Sequence, residues 1–212
     1  MQILGICASP RRNGNSASLL AAFSDGASES GHLVDTVYLD DHISGFLRDC
    51  RGCRTPEGDC SIADEYGELF LERFLPADVV VFSTPVYWYG VSGILKTFLD
   101  RMFCYTAASC PVSATVIRKL QGKKMVLLLS SEESYPGAEL GIVHQFQEFA
   151  RYTRSCLIGV VRGIGNRRGE VARDPRNPLE AARQLGRVAD SLRYSDYFLD
   201  SVRSGTVWSA PD

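Results

Sequence analysis

Five short apolar runs alternate with segments of helical spacing along this chain, and that alternation is what most restricts its fold. The runs lie at residues 3–8, 32–39, 77–83, 123–130 and 156–161. Segments with helical spacing follow at 16–30, 63–74, 90–105, 139–154 and 179–199. Runs such as Val79-Val80-Val81-Phe82 are apolar without a break, which suits strands covered on both faces. The pattern therefore predicts an α/β fold of three layers, with helices on both sides of a five-stranded parallel sheet. Crossovers in such a sheet are right-handed, and its ligand crevice opens at the carboxyl ends of the strands.

The chain has 212 residues, enough for one sizeable domain and too few for two comfortable ones. Residues 1–200 read as that domain, with an insertion at about 40–62 and a polar tail at 201–212. A net charge of −2 gives no bulk attraction to nucleic acid or to an anionic membrane. No apolar run approaches the ~20 residues of a membrane span. No apolar leader follows a basic start, and the seven cysteines are an odd number, so a reduced, cytoplasmic protein is expected.

The densest signal lies at residues 3–18. A buried strand is followed by Ser9-Pro10-Arg11-Arg12-Asn13-Gly14-Asn15-Ser16, and then by helix-forming residues beginning at Ala17. Asn15 and Ser16 are good N-cap types. A helix N-terminus presents free backbone N–H groups and the positive end of its dipole, so the loop is read as a phosphate cradle. Ser9, Asn15 and Ser16 would add hydrogen bonds, and Arg11 would add charge. The loop has neither the Gly-x4-Gly-Lys-Ser/Thr pattern of nucleotide triphosphatases nor the Gly-x-Gly-x-x-Gly pattern of dinucleotide-binding folds. The bland alternative is an ordinary strand–turn–helix junction.

Residues 9–16 resemble the Ser-Pro-Arg-x-x-Gly-Asn-Ser string of the NAD(P)H-dependent FMN reductases, whose flavodoxin-like fold implies the strand order 2-1-3-4-5 and a ligand crevice at the carboxyl ends of strands one and three. The resemblance implies that this loop cups the phosphate of FMN, with Ala17 opening the helix. A second matching segment is Pro85-Val86-Tyr87-Trp88-Tyr89-Gly90, after the third strand. In the family such a segment borders the isoalloxazine ring, its backbone N–H groups near flavin N5. Pro85 would stiffen the turn and Gly90 would let the chain enter the next helix. Core packing is the alternative for these aromatics. Ser130 and Ser131, after strand four, would face the pyrimidine end of the ring. Glu132 and Glu133 are expected to point to water, and Tyr135 is placed within reach of the ring.

Cys50, Cys53 and Cys60 lie in the insertion. The iron–sulfur flavoprotein branch of the family carries four closely spaced cysteines there, but Pro56 stands where the third would be. A cluster or structural zinc usually needs four ligands, so no metal is assigned. A Cys50–Cys53 redox pair remains open, as does a remnant loop, which is the preferred reading. Cys7, Cys104 and Cys156 are expected to be buried fillers, and Cys110 an exposed loop residue.

No Ser-His-Asp or paired-carboxylate constellation is visible, so no catalytic side chain is named. The resemblance implies that hydride from NAD(P)H reaches FMN and that electrons pass on to a small acceptor such as a quinone, flavin or other aromatic. The alternatives are a flavodoxin-type electron carrier and a non-catalytic flavin-binding module. Ile94, Leu95, Phe98, Leu99, Met102 and Phe103 form an apolar stripe wider than a core face needs, which with the family habit suggests a homodimer or homotetramer. The acceptor, and the choice between NADH and NADPH, are not legible.

Overall fold

The computed structural model describes residues 1–48 and 60–192. Its order begins β1 (Gln2–Cys7), α1 (Asn15–Glu29), β2 (Leu33–Tyr38), α2 (Leu39–His42) and α3 (Tyr66–Glu68). α3 runs on into a π-helical turn at Leu69–Phe74. Then come β3 (Val79–Tyr87), β4 (Gly90–Val91), α4 (Gly93–Arg101), α5 (Phe103–Thr106) and α6 (Ser113–Leu120). The last group is β5 (Lys124–Ser131), α7 (Leu140–Thr153), β6 (Cys156–Ile164) and α8 (Pro178–Val188). Short 3-10 turns occupy Pro136–Glu139 and Glu170–Arg173.

The sheet order is β2-β1-β3-β5-β6, all parallel, which is the order 2-1-3-4-5 once the two-residue β4 is set aside. β4 pairs only with β3, antiparallel, in a hairpin that the sequence reading did not contain. Nor did it contain α6. The final helix ends at Val188, short of the expected residue 199: residues 189–192 are not helical, and those beyond 192 lie outside the described residues.

Period-two alternation sorts the central strands onto two cores. Ile3, Cys7, Val79, Val81, Val126 and Leu128 face α1 and α8. Their neighbours Leu4, Ile6, Val80, Phe82, Leu127 and Leu129 face the other layer. There Tyr66, Phe70, Phe74, Phe82, Phe98 and Phe146 form a continuous aromatic stack, with ring centroids 5.2 to 6.5 Å apart. β2 and β6 are edge strands and only half covered.

α1 and α8 cross with backbone almost touching backbone. A Cβ on Gly26 would fall 1.9 Å from the Arg183 carbonyl oxygen, and one on Gly186 would fall 2.2 Å from that of Phe23. Only glycine allows that approach. Arg183 and Arg187 of α8 then close on Glu29 of α1.

The stripe on α4 and α5 is largely spent within the chain. Leu95, Phe98 and Met102 are buried in the aromatic layer, and Ile94 and Leu99 pack against it. Phe103 is exposed. Cys110 is buried, against expectation, because the turn before α6 folds it under the second core. Cys156, expected to be buried, is only half covered on the edge strand.

Candidate active-site cleft

The carboxyl ends of β1, β3, β5 and β6, each taken here with the loop that follows it, border a cleft of roughly 260 Å³. Ser9, Arg11, Gly14, Asn15 and Ser16 line it from the first loop, and Pro85, Val86 and Tyr87 from the second. Ser130, Ser131 and Glu132 line it from the third. Ala17 lies in the first turn of α1 with its side chain in the core.

The N-cap of α1 is Gly14, in extended backbone at φ −85° and ψ 174°, rather than Asn15 or Ser16. No side chain caps the helix, and its first turn holds no acidic residue. The leading N–H groups are therefore left for an anion. The loop is pinned by its own bonds: the Arg11 N–H donates to Ser9 Oγ at 3.3 Å, and the Gly14 N–H to the Arg11 carbonyl at 3.0 Å. A Cβ on Gly14 would sit 3.0 Å from the Arg11 Cβ, so the turn has room only for glycine without adjustment.

Asn15 has a structural task as well as a place in the cleft. Its Nδ2 donates to the Gly165 carbonyl at 2.7 Å, and its Oδ1 accepts from the Val171 N–H at 3.2 Å. Ser16 Oγ and Ser130 Oγ are 2.8 Å apart, and Ser83 Oγ donates to the Ser16 carbonyl at 2.8 Å. These bonds knit the start of α1 to the ends of β3 and β5. Ser92 Oγ donates to the Ala8 carbonyl at 2.9 Å, tying the helix after the hairpin to the end of β1.

The second loop turns differently from expectation. Trp88 and Tyr89 both take left-handed backbone, with φ of 49° and 59°. Together they make the hairpin bend that joins β3 to β4, a role usually taken by Asn-Gly. Gly90 pairs with Tyr87 and has ordinary φ, so the chain does not turn there. Trp88 is 97% exposed, and Trp88, Tyr89 and Gly90 fall outside the cleft lining. Tyr89 instead donates its hydroxyl to Glu133 at 3.0 Å, and that contact raises its pKa. Glu132 borders the cleft, and Tyr135 is exposed.

The fourth loop is absent from the sequence reading. Gly165, Asn166, Arg167 and Arg168 line the cleft beside the start of α1. The available signal was two successive arginines immediately after the last apolar strand, where α/β ligand crevices open.

The insertion is anchored from below. Arg101, 1% exposed, pairs with Asp64 and donates to the Gly45 carbonyl at 3.0 Å. Its guanidinium lies over the Tyr66 ring at 4.2 Å and 3.7 Å from Cys60 Sγ. Asp64 also accepts the Ser44 N–H at 2.9 Å, and its pKa is held low by Arg101 and these amides despite burial. Cys50 and Cys53 lie outside the described residues. No group of three or more metal-binding side chains occurs among the described ones.

A family described as having the flavodoxin-like fold matches residues 1–162. The chain belongs to that family. It is 26% identical over 181 residues, 85% of this chain and 94% of the other, to YwqN of Bacillus subtilis, named provisionally as an NAD(P)H-dependent FMN-containing oxidoreductase. It is 35% identical over 108 residues to an iron-sulfur flavoprotein of Archaeoglobus fulgidus, covering half of this chain and 47% of that one. Among solved structures, an NAD(P)H:quinone oxidoreductase from Methanothermobacter marburgensis superposes with a TM-score of 0.68 at 20% identity. That superposition covers 92% of this chain and 98% of the other, and it speaks to the fold alone.

Proposed function

We propose that this protein is an FMN-dependent NAD(P)H oxidoreductase acting on a small planar acceptor such as a quinone, a flavin or another aromatic. The observation that carries the reading is the uncapped N-terminus of α1, set in the loop at residues 9–16 and opening into a cleft at the carboxyl ends of β1, β3, β5 and β6. The fit to FMN is chemical. Free amides, the helix dipole and Arg11 match a phosphate dianion, and Gly14 removes the side chain that would fill the cradle. The name given to YwqN supports the same cofactor pair.

Residues 9–16 would hold the phosphate by backbone N–H groups, with Ser9 and Arg11 adding side-chain contacts. Backbone groups of Pro85, Val86 and Tyr87 would line one side of the ring, and Ser130 and Ser131 the other. FMN, when bound, supplies the redox chemistry that takes hydride from NAD(P)H and gives electrons to the acceptor. The chain's own work is binding, orientation and exclusion of water. Trp88, Tyr89 and Tyr135 are exposed and open to an aromatic acceptor or to a second copy in a homo-oligomer. A cytoplasmic location belongs to the same reading; among the described residues no helix is long and apolar enough to cross a membrane.

The test is titration of the purified protein with FMN, followed by steady-state NADH and NADPH oxidation. Saturable quenching of flavin fluorescence with turnover supports the proposal. Flavin binding without turnover supports the electron-carrier alternative, and failure to bind FMN removes the assignment.

A further inference from the structure

We infer that Arg167 and Arg168, which line the same cleft as Arg11, form a phosphate-monoester clamp. The inference rests on the flavin reading above and assigns the ligand chemistry of a loop that the shared motif does not contain.

Among the described residues, eight of the fifteen arginines are held in ion pairs. Arg73 closes on Asp35 at 2.7 Å, Arg176 on Asp174 at 2.7 Å and Arg187 on Glu29 at 2.7 Å. Arg11, Arg167 and Arg168 line one cleft, are exposed, and form no ion pair among the described residues. Three guanidinium groups face a single acidic lining residue, Glu132, leaving an excess of two positive charges. That excess matches a phosphate dianion.

The loop that carries the pair is built rather than loose. Glu170 accepts the N–H groups of Asn166 at 2.8 Å and Arg167 at 2.7 Å. The Gly165 N–H donates to the Ser131 carbonyl at 2.8 Å. A Cβ on Gly165 would meet the Val171 nitrogen at 2.7 Å and Asn15 Nδ2 at 2.9 Å, so the backbone here sits tight against α1. The Asn15 strut thus fixes two arginines next to an uncapped helix N-terminus. Guanidinium groups recognise phosphate oxygens by paired, charge-assisted hydrogen bonds.

Two ligands of the proposed reaction bear a phosphate monoester: FMN, against riboflavin, and NADPH with its 2′-phosphate, against NADH. The experiment compares wild type, R167A/R168A and R167K/R168K. Dissociation constants for FMN and riboflavin come from fluorescence quenching at two salt concentrations, and KM values for NADPH and NADH from steady-state kinetics. The expected result is a selective loss of about tenfold to a hundredfold in the alanine variant for one phosphorylated ligand, with its unphosphorylated partner unmoved. The salt dependence of that ligand's binding should flatten, and lysine should restore part of the affinity. Loss for FMN places the clamp on the cofactor; loss for NADPH places it on the nucleotide. Unchanged discrimination in both pairs, or equal losses for phosphorylated and unphosphorylated ligands, overturns the clamp. Wild-type protein that binds no flavin fails the functional reading instead, and the two failures are separable. Thermal unfolding of both variants alongside wild type identifies any loss of fold.

Discussion

Asn15 and Gly165 stand 150 residues apart in sequence and are joined by a 2.7 Å hydrogen bond at the mouth of the cleft. The first residue of α1 thereby holds the last cleft loop. An amide was expected here to serve a phosphate, and its side chain is committed to architecture on both ends. Replacing Asn15 with alanine removes both bonds and leaves the Gly165 carbonyl and the Val171 N–H without their partner. We expect a stability loss of about 1–3 kcal/mol in urea unfolding. Flavin affinity should fall as well, because the loop bearing Arg167 and Arg168 is released. Asn15→Ala that keeps both stability and affinity would show that the strut is dispensable.

The Arg101–Asp64 pair makes a second prediction. Both groups are buried, and Arg101 also covers the Tyr66 ring. Arg101→Met strands the Asp64 carboxylate in the aromatic layer. Removing one partner of such a pair costs about 3–5 kcal/mol, whereas replacing both with apolar groups often costs little. The single variant should therefore be much less stable than R101M/D64L in chemical denaturation. The double variant still loses the Ser44 and Tyr66 amide contacts, so it should not exceed wild type.

Lys123 sits at the opposite end of the sheet. It is buried, lies 5.4 Å from the centre of the Phe74 ring and donates to the carbonyls of Leu75 and Ala77. Burial lowers its pKa to about 8 from 10.5. The unfolded chain therefore binds more protons than the folded one between those values, and stability rises with pH across that window. The cost of holding the charge is fully present below pH 8 and disappears by pH 10.5. Integrated over about 2.5 units the gain is about 3 kcal/mol. Lys123→Met should flatten this part of the pH profile, measured as unfolding free energy at pH 7.5 and pH 10.

The hairpin tip supplies a fourth. Trp88 and Tyr89 occupy left-handed backbone that bulky residues adopt at a cost of about 1–3 kcal/mol each. Trp88→Asn with Tyr89→Gly supplies the residues this turn prefers, and relieving about 2 kcal/mol should raise the melting temperature by roughly 4–8 °C. Under the proposed function the same change should raise KM for an aromatic acceptor while leaving the FMN dissociation constant alone. A stabilised variant with unaltered acceptor kinetics would remove these aromatics from the site.

Much of the fold was legible because burial writes itself into short patterns. Unbroken runs such as Val79-Val80-Val81-Phe82 are apolar on both faces because both faces are covered. The first cleft loop was legible because a strand, a glycine-bearing turn and a helix start are contiguous. What was missed depends on distant contacts. Gly14, not a polar side chain, precedes α1, since Asn15 is drawn off to Gly165. Cys110 is buried because the turn before α6 folds it into the second core, a contact that its neighbours in sequence do not announce. The bend at Trp88 and Tyr89 has the wrong residues for its turn type, so propensity pointed to Gly90.

The sequence by itself determined the layer architecture and the position of an anion-binding turn, because each follows from hydrophobic periodicity or from neighbours along the chain, whereas the strand order came with the family resemblance. Only the tertiary structure decided what surrounds that turn. The β6 loop reaches the start of α1 because β6 lies at the sheet edge beyond β5 and α1 crosses toward it, locked to α8 by two glycines. Charges that converge in this way come from segments about 150 residues apart, and no local pattern in the chain records their meeting.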